Sequence, residues 1–110
     1  MRTTLLTAAT LLALSSPALA QAPGHMDKGS ALAHSICAQC HAVGRGRARS
    51  PNPMAPRFSD VAATPGMTDR ALRVWLQSSH PTMPNFMLNR DDTDDLVAYI
   101  LGLKATRATM

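Results

Sequence analysis

Apolar positions recur at three- and four-residue steps in three stretches of this chain, and such steps predict helices. Leu32, Ala33, Ile36, Cys37 and Cys40 mark the first, which begins near Asp27 or Lys28 and runs toward Cys37. Ala71, Leu72, Trp75 and Leu76 mark the second. Thr68 stands before it as an N-cap, and Asp69 lies in its first turn, where the helix dipole favours an acid. Leu96, Val97, Ile100, Leu101 and Leu103 form the broad apolar stripe of the third. Asn89 is its expected cap, Asp92 follows three residues on in place of the usual Glu, and Lys104 and Arg107 sit where the dipole favours cations. Between these stretches, Gly44 to Pro53 contains two glycines and, with Pro56, three prolines, which rule out a regular element. Phe58 to Ala62 reads as one short helical turn, and Pro65-Gly66 as a break. Pro81 and Pro84 end the second helix and hold His80 to Asn85 as an extended stretch. No strand alternation survives, so the expected class is all-α with irregular loops.

A different pattern precedes these elements. Met1-Arg2 is a short positive start, Leu5 to Leu14 is apolar, Ser15-Ser16-Pro17 breaks the run, and Ala18-Leu19-Ala20 is a small-x-small cleavage site. Residues 1–20 therefore read as a cleaved secretion signal and residues 21–110 as the mature domain. The apolar run is shorter than the roughly 20 residues a bilayer span needs. The expected product is soluble and periplasmic, with no stable membrane insertion, and monomeric by default.

Removal of the leader leaves 90 of the 110 residues, enough for one small domain. The interior has few large side chains to fill it. Aromatics make up 4%, namely Phe58, Trp75, Phe86 and Tyr99, which suggests that something else supplies bulk. The formal charge is +4, or +3 without Arg2. That mild excess suits acidic protein patches, and the clustered basic stripe with interleaved aromatics expected of a nucleic-acid binder is missing.

An exported chain can hold disulfides, yet the two cysteines here are Cys37 and Cys40, and a bridge across two residues would contribute little stability. The pair points to chemistry instead. Cys37-Ala38-Gln39-Cys40-His41 is a CxxCH string, the attachment signal for c-type haem. Two thiols three positions apart face one side and can each add to a haem vinyl group. The following His41 is placed to ligate the iron. A thioredoxin-type dithiol would want a βαβ context, and a zinc site would want four close ligands; His25, His34 and His80 are not so spaced. For the sixth iron position the candidate is Met83, in Pro81-Thr82-Met83-Pro84-Asn85-Phe86, where two prolines stiffen the backbone; Met87 and His80 are the alternatives. Methionine is otherwise a core filler.

The chain resembles the small monohaem class I cytochromes c. The likeness spans residues 27–104 and rests on Gly29 eight residues before Cys37, on CAQCH, on SPNP at 50–53, on HPTMPNF at 80–86 and on DDLVAYIL at 94–101. It implies a three- to four-helix fold wrapped around one covalent haem c, with the first and last helices crossing at Gly29 and Tyr99 packed at that crossing. It also implies that a carbonyl near Pro51 or Pro53 accepts a hydrogen bond from His41 Nδ1. Trp75, only eight residues before Met83, is expected to pack near the haem edge. Arg57 is a candidate for a haem propionate. Arg45, Arg47 and Arg49 form a candidate docking patch or a solvated loop. The acidic run Asp91, Asp92, Asp94 and Asp95 lacks the glycine and spacing of a calcium loop and reads as helix N-terminal charge.

The expected function is one-electron carriage with haem c as cofactor, His41 and Met83 as axial ligands, and no enzymatic activity of its own. Redox partners could be a quinol-oxidising complex, a terminal oxidase or a periplasmic dehydrogenase. The competing readings are a five-coordinate haem protein with peroxidase-like or gas-binding activity, and a CxxC thiol–disulfide oxidoreductase.

Overall fold

The computed structural model describes residues 24–78 and 80–105, with the backbone alone at Ala105. The leader and Arg107 lie outside the described residues. Helix α1 is Met26–Leu32, and a π-helical turn, Ala33–Cys37, continues it. Helices α2, α3 and α4 are Phe58–Ala63, Asp69–Gln77 and Arg90–Ala105. The described residues contain no strand, in line with the all-α expectation.

Local chemistry sets the helix starts. The Thr68 hydroxyl accepts from the Ala71 N–H at 3.1 Å, and the Asn89 side-chain oxygen accepts from the Asp92 N–H at 2.8 Å. Asp69 lies in the first turn of α3, and Asp91 and Asp92 in that of α4. Helix α1 is capped from another element. The Asp95 carboxylate on α4 accepts from the His25 backbone N–H at 2.6 Å and lies 3.3 Å from His25 Nδ1. That contact draws Asp95 below the ordinary carboxylate range, with the His25 backbone hydrogen bond as the main cause and burial opposing it.

Helix α4 is the central element, and α1, α2 and α3 all pack on it. Leu96, Val97 and Ile100 are its fully buried side chains, each stabilising the fold by about 1.5–3 kcal/mol. Ala33, Val43, Phe58, Ala62, Leu72 and Leu103 close around them. Gly29 is buried at the α1–α4 crossing. A side-chain carbon there would fall on the Asp95 carbonyl and lie 2.7 Å from Tyr99 Cβ. The Tyr99 hydroxyl donates to the Val43 carbonyl at 2.6 Å, tying α4 to the chain that follows the cysteine pair. Arg73 joins α3 to α4: its Nε donates to Asp69 at 2.6 Å and its Nη1 to Asp94.

One expectation is corrected. Residues 80–85 do not run extended throughout. The Met83 N–H donates to the His80 carbonyl at 3.3 Å, and Thr82 has φ of 69°. That is the pattern of a type II turn with Pro81 at its second position and Thr82 at its third. Proline's φ suits such a turn as well as an extended segment, so the chain reverses here, and two further tight bonds, Phe86 N–H to the Pro84 carbonyl and Leu88 N–H to the Phe86 carbonyl, follow before Asn89.

Candidate haem site

The π turn places the cysteine pair. The Ala38 N–H donates five residues back, to the Ala33 carbonyl, at 3.0 Å. The Cys37 carbonyl then accepts from Cys40 N at 3.2 Å and His41 N at 2.9 Å. Residues 37–41 thus keep helical spacing, and Cys37 and Cys40 share a side. Both are free thiols, Cys37 buried and Cys40 half-buried. Burial pushes the Cys37 thiol up to about 11.

The loop that follows is fastened to this turn at three points. The Asn52 N–H donates to the Cys40 carbonyl at 3.0 Å, the Ala42 N–H to the Ser50 hydroxyl at 3.0 Å, and the Phe58 N–H to the Ala42 carbonyl at 3.0 Å. These bonds carry the chain past His41, whose Nδ1 lies 2.7 Å from the Pro56 carbonyl. A carbonyl can only accept, so Nδ1 carries the proton and Nε2 keeps its lone pair for a metal. The partner is neither Pro51 nor Pro53. Ser50 and Asn52 spend that stretch on the 40–42 turn, and the chain reaches the ring only at Pro56, just ahead of α2. The first residue of α2, Phe58, sets its ring 5.1 Å from that of His41, tilted by 48°.

Met83 lines a small open-sided cleft together with Cys37, Ile36, Leu76, Phe86 and Leu96. Cys40 and His41 are not in its wall. Of the three residues considered for the sixth iron position, only Met83 is part of the cleft. Met87 is 91% exposed, and His80 stacks on Trp75 with centroids 5.0 Å apart. Trp75 is 56% exposed and outside the cleft wall, in which α3 is represented by Leu76. Arg57 is committed elsewhere: its Nε and Nη2 donate to Asp60 at 2.7 and 2.9 Å, a bidentate pair that raises the guanidinium pKa. The arginine loop is exposed, and among the described residues Arg45 alone of its three makes a hydrogen bond to the helical body, to the Gly102 carbonyl at 3.4 Å.

The donor set fits a covalently attached haem. Two unbridged thiols share one side of a helical turn, an imidazole has a fixed tautomer, and a thioether shares an apolar cleft with one of the thiols. The residues that escape sequence reasoning are Pro56, Ser50 and Asn52. Ser50 and Asn52 fall in the SPNP segment already singled out, without their bonding roles, and the proline-rich composition alone hints at Pro56.

Comparison with known proteins agrees. Residues 24–100 match the family described as cytochrome c oxidase, cbb3-type, subunit III. The chain is also similar to cytochrome c-552 of Bradyrhizobium diazoefficiens, with 40% identity over 90 residues, covering 82% of this chain and 83% of that protein. No solved structure matches. With a CxxCH turn, a helical fold and these two likenesses in hand, the chain belongs to the c-type cytochromes, as a small monohaem member that carries covalently bound haem c.

Proposed function

We propose that this protein is a periplasmic one-electron carrier in which Cys37 and Cys40 form the haem thioethers and His41 and Met83 ligate the iron. The observation that carries this reading is the cleft that Cys37 and Met83 line together. Haem c, when bound, supplies an iron that cycles between ferrous and ferric states. The chain's own residues tune and protect that cycle. A neutral, soft Met83 thioether favours the ferrous state and raises the potential. The apolar wall of Ile36, Leu76, Phe86 and Leu96 works in the same direction, because a low-dielectric surround disfavours the additional charge of the ferric form. The Pro56 carbonyl holds the His41 ring in one orientation and makes Nε2 a stronger donor. Held by His41 and Met83, the iron would keep the same two protein ligands in both oxidation states.

The partner proposed is a terminal oxidase, by the description of the matching family. Arg45, Arg47 and Arg49 lie exposed on one loop and suit a small, salt-sensitive contact with an acidic surface. Among the described residues no helix is long and apolar enough to cross a membrane. The thiol–disulfide reading is disfavoured, because a thiol raised to about 11 has little thiolate at neutral pH.

The test is spectroscopic. Oxidised holoprotein should show the sulfur-to-ferric-iron absorption band, and Met83→Ala should lose the band and lower the potential. Rapid carbon monoxide binding to the untreated ferrous protein would overturn the carrier reading.

A further inference from the structure

Trp75 is a large aromatic side chain with more than half its surface in water, on a helix whose buried anchor is Leu72. Core packing does not account for it. Its ring lies against His80, with centroids 5.0 Å apart and planes within 22°. His80 opens the turn that carries Met83, and its carbonyl accepts the Met83 N–H. The third residue of that turn, Thr82, is β-branched and left-handed, at φ 69°. Such a residue is strained, and it keeps that conformation only where its surroundings hold it there.

The rest of the segment offers little hold. From His80 to Leu88 the backbone hydrogen bonds are Met83 to His80, Phe86 to Pro84 and Leu88 to Phe86. Each closes within the segment. Among the described residues, no hydrogen bond or ion pair joins residues 80–88 to a helix. Apart from the apolar contacts in the cleft, the ring stack is the tie between this segment and the helical body.

We propose that Trp75 is a positioning residue for the sixth iron ligand: by stacking on His80 it anchors the strained turn and so presents the Met83 thioether. This rests on Met83 being that ligand. The stack lowers the cost of holding Met83 in place, and it sets how readily an outside ligand can displace the thioether. An offset-stacked aromatic pair adds a gain beyond buried area that corresponds to roughly a two- to tenfold change in an equilibrium.

The experiment uses ferric holoprotein and imidazole as the competing ligand. Affinity is read from the visible spectrum, alongside the sulfur-to-iron band and thermal unfolding. Trp75→Ala should bind imidazole about three- to tenfold more tightly and show a weakened band, while Trp75→Phe, which keeps a stacking ring, should stay within about twofold of the parent. His80→Ala and His80→Phe provide the same contrast from the other ring and carry the test if Trp75→Ala yields too little holoprotein. Met83→Ala is the control. If it leaves the band and the imidazole affinity unchanged, Met83 is not the ligand and the proposal falls with that reading. If it abolishes the band while the alanine variants at 75 and 80 match their phenylalanine counterparts, the ligand stands and the anchoring role is overturned. A fall in thermal stability with unchanged imidazole affinity overturns it too, since that is what a purely structural stack would give.

Discussion

Replacing Gly29 with alanine sets two effects of opposite sign against each other. Alanine is the better helix former by about 1 kcal/mol, so on an exposed face of α1 the change would stabilise. At the crossing with α4 the added carbon has nowhere to go. It falls on the Asp95 carbonyl and comes within 2.7 Å of Tyr99 Cβ. The first obstacle is backbone, which cannot rotate aside, so α1 must lift from α4. Overpacking of this kind costs about 1–3 kcal/mol on its own account. Lifting α1 also strains the Asp95–His25 contact, and it shifts Tyr99, whose hydroxyl bond to the Val43 carbonyl contributes about 1 kcal/mol. The net expectation is a loss of about 1–3 kcal/mol after the helix gain is subtracted, or a fall in Tm of roughly 5–20 °C for a domain of this size.

The assay is thermal unfolding of covalently loaded protein, followed by far-ultraviolet dichroism and by haem absorbance together. Gly46→Ala is the contrast. Gly46 has φ of 78° but open space around it, so its cost is confined to the left-handed backbone, about 1–2 kcal/mol, with no effect on the helix crossing. Gly44→Ala, whose nearest neighbour would be His34 Nε2 at 3.8 Å, should be near neutral. A Gly29→Ala protein as stable as the parent, or more so, would refute the close crossing on which the fold description depends.

Three further outcomes are expected. Thr82→Asn should raise stability by about 0.5–1 kcal/mol in thermal unfolding, because asparagine tolerates the left-handed conformation that a β-branched side chain resists; no gain would argue against strain at that turn. Asp95 titrates lower in the folded than in the unfolded chain, so its contribution is present above the unfolded value of about 3.8 and disappears as pH falls through the lowered folded value. Asp95→Asn should therefore be less stable than the parent at pH 7 and lose less on further acidification, and stability curves that run parallel below pH 4 would contradict this. Met83→Ala should unfold at a lower temperature than the parent in the oxidised state as well as lose its absorption band, because the proposed ligand bond would also tie the 80–88 segment to the body; an unchanged Tm would separate ligation from segment stability.

Much of this was legible where the deciding interactions are local. Thr68 and Asn89 cap their helices through side-chain bonds to N–H groups three residues on, and their residue types announce as much. Cys37, Cys40 and His41 are recognisable by spacing, which a single helical turn enforces. Gly29 and Tyr99 came with the family likeness and meet as that likeness implies. What escaped depends on tertiary contacts. The cap of α1 comes from Asp95, 70 residues away from His25, and no local signal marks it. The choice of Pro56 over Pro51 or Pro53 follows from where Ser50 and Asn52 fasten the loop. The π turn at Ala33–Cys37 is a shift in backbone register with no side-chain signature. Thr82 is the instructive failure: its residue type argues against a left-handed turn, and the flanking prolines suit either conformation. The Arg57–Asp60 pair, by contrast, is visible in the sequence, since Asp60 lies three residues on, at the helical distance for an ion pair.

The two proposed ligands are held in unequal ways, and the inequality bears on function. His41 sits in a turn that two backbone bonds and one bond to the Ser50 hydroxyl fasten to the chain that follows, with its ring fixed by the Pro56 carbonyl and packed near Phe58. Breaking that side means opening several bonds at once, beside the two thioethers proposed at Cys37 and Cys40. Met83 sits on a segment whose hydrogen bonds close on themselves and whose turn is strained. Any local opening of this protein should therefore begin on the methionine side, since low-stability segments are those with few buried contacts and few bonds to the body. An electron carrier needs the opposite ligand to stay put through each cycle, which gives an exposed tryptophan on α3 a physical reason to be there. It also explains why the carrier and five-coordinate readings lie close together in this architecture. They differ by the hold on one turn, while everything on the histidine side is common to both.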